Sequence, residues 1–272
     1  MPHFRLSLAY DGTDFAGSQV QPNQRTVQGE LEGTLGEIAA NPTRAIFAGR
    51  TDRGVHAAGQ VVAVGLPAWN ATALDLQRAL NARLPVDVGA TDATVCAESF
   101  NPRFDAVWRE YRYWIASAVG SPFLSRYAWI RRTEIDVAAV RAGAGRLVGT
   151  HDFASFAGGG EGVPWSLRAT KPQGTSRTIL RCDCREIRAR IGPGSDESAR
   201  VLEVRVAADG FLPHMVRNIV GALLDIGQAR RAPEWIDEIL AERDRRFGPV
   251  MAPPQGLTLA RVGFNGDQLD DD

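Results

Sequence analysis

The sequence predicts an α+β fold of two ferredoxin-like, RRM-like halves that share a mainly antiparallel sheet flanked by helices. Three observations lead there. A β-α-β-β-α-β succession is legible in the N-terminal part of the chain. A similar succession partly recurs beyond Pro102. The length of 272 residues exceeds the usual single domain and suits two fused halves. The expected division is residues 1–105 for the first half, 106–264 for the second, and 265–272 for an acidic tail, read as disordered, with Asp267, Asp270, Asp271 and Asp272.

Residues 4–10 alternate apolar and polar side chains as a half-buried strand does, and Asp11-Gly12 ends them with turn chemistry. Thr26 is placed to cap a helix in which Val27, Leu31, Leu35 and Ile38 recur at helical spacing. Strands at 45–48 and 60–64 follow, separated by a charged loop at 49–59, and a helix at 71–82 and a strand at 86–95 complete the unit. The second half reads as a decorated copy: a strand at 111–115, a helix at 137–147, strands at 179–191 and 201–206, helices at 215–226 and 235–242, and a last strand at 257–264. A Gly/Pro-rich stretch at 157–174, holding Arg168 and Lys171, reads as a mobile loop.

Composition excludes several classes. Apolar residues at 44% and charged residues at 23% suit an ordinary globular core. The longest apolar run, 219–224, is far too short to cross a bilayer, and the N-terminus lacks the pattern of a signal peptide, so a cytoplasmic, membrane-free protein is expected. Cys96, Cys182 and Cys184 form no metal-ligand spacing with the four histidines, so no metal and no cofactor is expected. Net charge is −1, which advertises no nucleic-acid partner, yet Lys171 is the single lysine among 31 basic residues. The others are arginines, which pair bidentately with phosphate and stack on bases.

The most informative segment is Gly49-Arg50-Thr51-Asp52-Arg53-Gly54-Val55-His56-Ala57, a polar loop between two apolar strands. It is longer than a plain hairpin needs and crowds two arginines, an aspartate and a histidine together. Arginines on both sides of Asp52 suit a nucleophile or charge stabiliser better than a general acid. Downstream, Trp108, Arg109, Tyr111, Arg112, Tyr113 and Trp114 lie on one predicted strand, where alternation puts Trp108 and Tyr113 on different faces. Arg217, at the start of an apolar helix, is either exposed or aimed at a carboxylate, and on pattern alone reads as exposed. His56 and His214 read as structural.

At these residues the chain resembles the tRNA pseudouridine synthase A family, whose hallmark reads Gly-Arg-Thr-Asp-x-Gly-Val-His. The match at 49–56 is complete. Further blocks stand in the family's order: Tyr10-Asp11-Gly12, Arg109-x-Tyr111-Arg112-Tyr113, the run from Phe211 to Gly221, and Ala252-Pro253-x-x-Gly256-Leu257. The resemblance implies the pseudouridine synthase fold, isomerisation of uridine to pseudouridine at tRNA positions 38, 39 and 40 in the anticodon arm, no cofactor, and a homodimer. It further implies that Asp52 is the nucleophile, Tyr111 stacks on the target base, Arg217 pairs with Asp52, Leu257 closes the pocket and Arg50 helps hold distorted RNA. Arg53 and Arg168 are expected to add RNA contacts. Asp52 could add to the anomeric carbon of the ribose, add to carbon 6 of the base, or act at the anomeric carbon and its neighbouring proton.

The chain departs from the family at Ser18, where tryptophan is usual, at Arg53, often alanine, and at Pro213, often a longer side chain. Two rival readings are weaker. A nucleoside hydrolase needs a second carboxylate at matched separation, and the Asp52 loop offers none. A non-catalytic RNA-binding module has no use for the Arg-Thr-Asp loop, and the Tyr111 strand lacks the glycine–aromatic spacing of such modules.

Overall fold

The computed structural model describes residues 2–117, 121–158, 174–193 and 196–269. Contacts divide the chain into two compact units, Met1–Arg109 with Thr258–Asp272, and Glu110–Leu257. Both are α+β, with mainly antiparallel sheets.

The first unit runs β1 (His3–Tyr10), α1 (Val27–Ala39), β2 (Ala45–Phe47), β3 (His56–Gly65), α2 (Ala73–Asn81), β4 (Val88–Cys96) and a short α3 (Pro102–Asp105). The alternation of β1 becomes burial of Phe4, Leu6, Leu8 and Tyr10 on one face. Thr26 caps α1 by accepting the Gly29 N–H (3.2 Å), and the helix buries Val27, Leu31 and Leu35. Thr72 and Asp75 form a capping box that starts α2, which buries Leu76 and Leu80. β4 begins later than the apolar pattern suggests. Val86 is fully exposed in a turn closed by the Val88 N–H on the Pro85 carbonyl.

Strands pair in the order β4-β1-β3-β2, all antiparallel, which is the ferredoxin-like arrangement. The short β2 covers only the far end of β3 at Val62–Val64. The near end of the same edge, His56 and Ala57, pairs in parallel with Thr258 and Leu259. The chain approaches so closely there that a Cβ on Gly59 would stand 2.3 Å from the Ala260 carbonyl oxygen. The C-terminal residues thus belong to the first unit. Part of the expected disordered tail is ordered, because Asp267 accepts the Phe264 N–H (2.9 Å) and its own N–H returns to the Phe264 carbonyl.

The second unit holds β5 (Trp108–Ala116) from Glu110 onward, β6 (Trp129–Ile130), α4 (Val137–Gly145), β7 (Gly149–Asp152), β8 (Ser176–Arg190), β9 (Ser198–Ala208), α5 (Met215–Gly227), α6 (Trp235–Glu242) and the first residue of β10 (Leu257–Gly263). Its sheet order is β5-β9-β8-β7, with β6 parallel on β5. The order β5-β9-β8 repeats β1-β3-β2 of the first unit, and α4 and α5 stand where α1 and α2 do in sequence. α5 is buried on almost every side and packs against α4.

One sheet face of this unit is charged rather than apolar. Glu110, fully buried, receives Arg112 (2.9 Å) and lies 3.7 Å from Arg181, while Asp183 holds Arg205 by two hydrogen bonds (2.7 and 2.8 Å). Glu203 binds both Arg185 (2.8 Å) and the indole N–H of Trp114 (3.1 Å). Pairing of this kind offsets the desolvation of each ion. Arg112 is thus engaged in an ion pair within the sheet. Arg168, Lys171 and most of the expected mobile loop lie outside the described residues.

Candidate active site

The Asp52 loop is shorter than the pattern suggests, because β3 starts at His56. Its backbone is held from several sides. Gln60, fully buried on β3, donates to the Gly49 carbonyl (2.8 Å) and accepts the Gly49 N–H (3.3 Å). Ser18 accepts the Thr51 N–H through its hydroxyl (2.9 Å) and gives its own N–H to the Thr51 carbonyl (3.0 Å). The Tyr10 hydroxyl meets the Thr51 hydroxyl at 2.8 Å. Burial pushes the Tyr10 phenol up to about 12, against the opposing pull of its bonds to Thr51 and Gln60, so it keeps its proton.

After Asp52 the chain turns sharply. The Val55 N–H returns to the Asp52 carbonyl (3.1 Å), and Gly54 takes φ 76°. Gly12 lies so close that a Cβ would stand 1.9 Å from the Val55 carbonyl oxygen, and its N–H donates to His56 Nδ1 (3.0 Å). His56 is buried and serves this turn, in keeping with a structural reading. Asp52 itself is half-buried between Arg50 and Arg53, both exposed, and Arg53 reaches Gln24 (3.3 Å).

Arg109 belongs to this unit and has a structural task. Its guanidinium donates to the carbonyls of Ala106 (3.1 Å), Ala48 (3.0 Å) and Arg103 (2.8 Å), so it ties α3 to the start of the Asp52 loop. Its place in the arginine-rich strand motif therefore reflects folding of the loop as much as any contact with substrate.

In the second unit, Tyr111 is buried on β5, its ring edge-on to Phe211 (centroids 5.1 Å, interplanar 89°). Tyr113, two residues on and so on the same face, donates its hydroxyl to the Pro253 carbonyl (2.8 Å) and packs on Gly256. Burial raises the Tyr113 phenol well above its ordinary value, and the nearby Arg217 charge offsets this only in part. Arg217 is buried in the first turn of α5, with Nε on the Ala252 carbonyl (2.7 Å), and the Ala252 N–H returns to the Arg217 carbonyl (3.1 Å). Of the two options that pattern left, the exposed one is excluded. Leu257 is buried at the end of the same segment. Arg217, Tyr113 and the Ala252–Leu257 block are thereby brought together, with Tyr111 on the same strand.

Residues that the sequence did not single out are Gln60, whose partner is at Gly49, and Asn218. Asn218 is fully buried, donates to the Phe156 carbonyl (2.7 Å) and accepts from Arg245 (3.0 Å). A polar residue amid the apolar run of α5 was the available signal. His214 takes φ 60° just before that helix, its ring against Gly158. Among the described residues no group of three or more His, Cys, Asp or Glu side chains could hold a metal ion, and no helix is long and apolar enough to cross a membrane.

Comparison with known proteins bears on the same segments. The family model described as tRNA pseudouridine synthase matches residues 7–105 and 144–265. The tRNA pseudouridine synthase A of Thermosipho africanus is 40% identical over 97% of this chain and 100% of its own length. Those of Solidesulfovibrio magneticus and Chloroflexus aurantiacus are 41% and 42% identical, covering 97% and 95% of this chain and 92% and 87% of theirs. Among solved structures, an archaeal box H/ACA sRNP Nop10-Cbf5 complex covers 81% of this chain and 44% of its own at 11% identity, with a TM-score of 0.33, too slight a likeness to argue from. Matched by the family model over well over half its length, and by relatives over nearly all of it, the chain belongs to the tRNA pseudouridine synthase family of isomerases.

Proposed function

We propose that this family member isomerises uridine to pseudouridine at positions 38, 39 and 40 of the tRNA anticodon arm, with Asp52 as the nucleophile. The observation that carries the reading is the Asp52 loop: every residue of the hallmark is present at 49–56, and the backbone on both sides of the carboxylate is tied down. Such restraint suits a group that must meet a reacting atom within a narrow range of positions.

Tyr111 is the platform for the displaced base, with its ring already set against Phe211. Arg217 is the cation that serves the Asp52 carboxylate. Leu257 closes the pocket, and Arg50, Arg53 and Arg168 contact RNA. Isomerisation detaches uracil, rotates it and rejoins it through carbon 5 without net redox change, so no cofactor is needed. The target uridine must leave its stack, at a cost of roughly a few kcal/mol, which arginines and an aromatic surface offset. The protein acts in the cytoplasm as a homodimer, with the first half carrying the carboxylate and the second completing the site.

The deciding experiment is Asp52→Asn. The amide matches the carboxylate in shape but is not a nucleophile, so turnover on tRNA should vanish while circular dichroism and tRNA affinity stay near those of the parent. Appreciable turnover by the pure variant would sink the assignment. Mapping pseudouridine in tRNA from cells with and without the protein tests the positions: loss at sites other than 38 to 40 would overturn that part alone.

A further inference from the structure

We propose that Ser18 is a positioning residue for Asp52, its hydroxyl fixing the Arg50–Thr51 peptide one residue before the carboxylate. The inference rests on Asp52 being the nucleophile. Ser18 is 1% exposed, and both backbone polar groups of Thr51, the residue before Asp52, end on it: N–H to the Ser18 hydroxyl at 2.9 Å, carbonyl to the Ser18 N–H at 3.0 Å. The approach is built in. Gly17 takes φ +115°, and a Cβ there would stand 3.0 Å from the Thr51 carbonyl oxygen.

The hydroxyl is the component of this clamp that can be removed without dismantling the loop. Ser18→Ala removes it and leaves the Thr51 N–H buried with that acceptor gone, and such a group regains a partner by turning its peptide. That turn shifts the Cα of Thr51, and with it the chain that enters Asp52. The remaining restraints persist: Gln60 on Gly49, Tyr10 on the Thr51 side chain, Val55 on the Asp52 carbonyl and the Ser18 N–H on Thr51. Loop and fold therefore survive while the carboxylate is displaced. Arg50 and Arg53 project from the same loop and are exposed, so RNA binding is affected far less than chemistry.

The test compares Ser18→Ala, Ser18→Thr and Asp52→Asn with the parent under single-turnover conditions at saturating tRNA, with rates expressed per tRNA-binding site from a parallel titration. Ser18→Ala should lower the rate by roughly 10- to 100-fold, the scale expected for a displaced reacting group, with tRNA affinity within about twofold. Ser18→Thr, which keeps the hydroxyl, should recover much of the loss. Normalising per binding site keeps the comparison valid if part of the Ser18→Ala preparation is unfolded. A parent-like rate for Ser18→Ala beside an inactive Asp52→Asn would overturn the positioning role and leave the nucleophile standing. A fall in rate only in proportion to a fall in affinity would overturn it too. An active Asp52→Asn would remove the nucleophile itself, and the proposal with it.

Discussion

Asp52 is held by neighbours far away in sequence, and this decides what could be read in advance. The chemistry proposed for it was legible because the hallmark is contiguous. Its support was not: Ser18 stood out only as a departure from the family, and its partner Thr51 lies 33 positions away. Arg217 shows the same limit, since an apolar helix pattern does not tell whether a basic residue in its first turn is buried on a carbonyl such as that of Ala252. Tyr111 carries a prediction at this scale. Its ring packs on Phe211, so Tyr111→Phe keeps the platform and removes only the hydroxyl. Affinity for tRNA should be unchanged, and turnover should fall if the hydroxyl takes part in removing a proton. Measured together, equal loss of both would show that the residue serves binding alone, and unchanged turnover that the hydroxyl is idle.

Elements with strong periodicity and a cap were the most legible. α1 starts where Thr26 says it should, α2 begins two residues later than expected, behind its Thr72 cap, and β1 follows its alternation. β4 was misjudged at its start because Val86 is apolar yet sits in a turn, and α3 and β6 are too short to leave a periodic signal. The N-terminal end of α1 has a long-range anchor as well. Arg25 grips Asp87 with two hydrogen bonds (2.7 and 2.9 Å), reaches Glu30 (2.7 Å) and lies over the Phe15 ring at 4.1 Å. The Arg25 bonds hold the Asp87 carboxyl below its usual value of 3.8, against the opposing effect of burial. A carboxyl whose folded pKa is depressed stabilises the fold above its unfolded pKa, and the contribution disappears as pH falls through the folded value. Arg25→Gln should therefore lower stability to urea at neutral pH, and its difference from the parent should shrink as pH drops below 3.8. Solvent screening of the partly exposed Arg25 keeps the effect small. A difference that persists unchanged into acid would assign the loss to packing on Phe15 instead.

Over the whole molecule, the repeated strand order was legible because it follows from two similar successions of elements. The return of the last strand to the first unit was not, because β3 pairs with it through only two residues, His56 and Ala57. Net charge misleads for a related reason. A total of −1 says nothing about which arginines are already engaged inside the protein. Arg112, Arg181, Arg185 and Arg205 face carboxylates within one sheet, and Arg109 binds backbone carbonyls, whereas Arg50 and Arg53 are exposed beside Asp52. The same pairs neutralise acidic residues. If the exposed arginines meet phosphate, tRNA affinity must fall as salt rises, with a slope that counts the counterions released. Arg50→Gln and Arg53→Gln should each weaken binding and lower that slope by about one for every phosphate no longer neutralised. Replacing Arg185 supplies the control. Its partner Glu203 is buried, so that variant should lose stability and leave the slope intact. Affinity measured across a salt series separates these outcomes. A flat response in the parent would mean that no arginine, in this loop or elsewhere, neutralises phosphate, and the exposed arginines would have no part in binding tRNA.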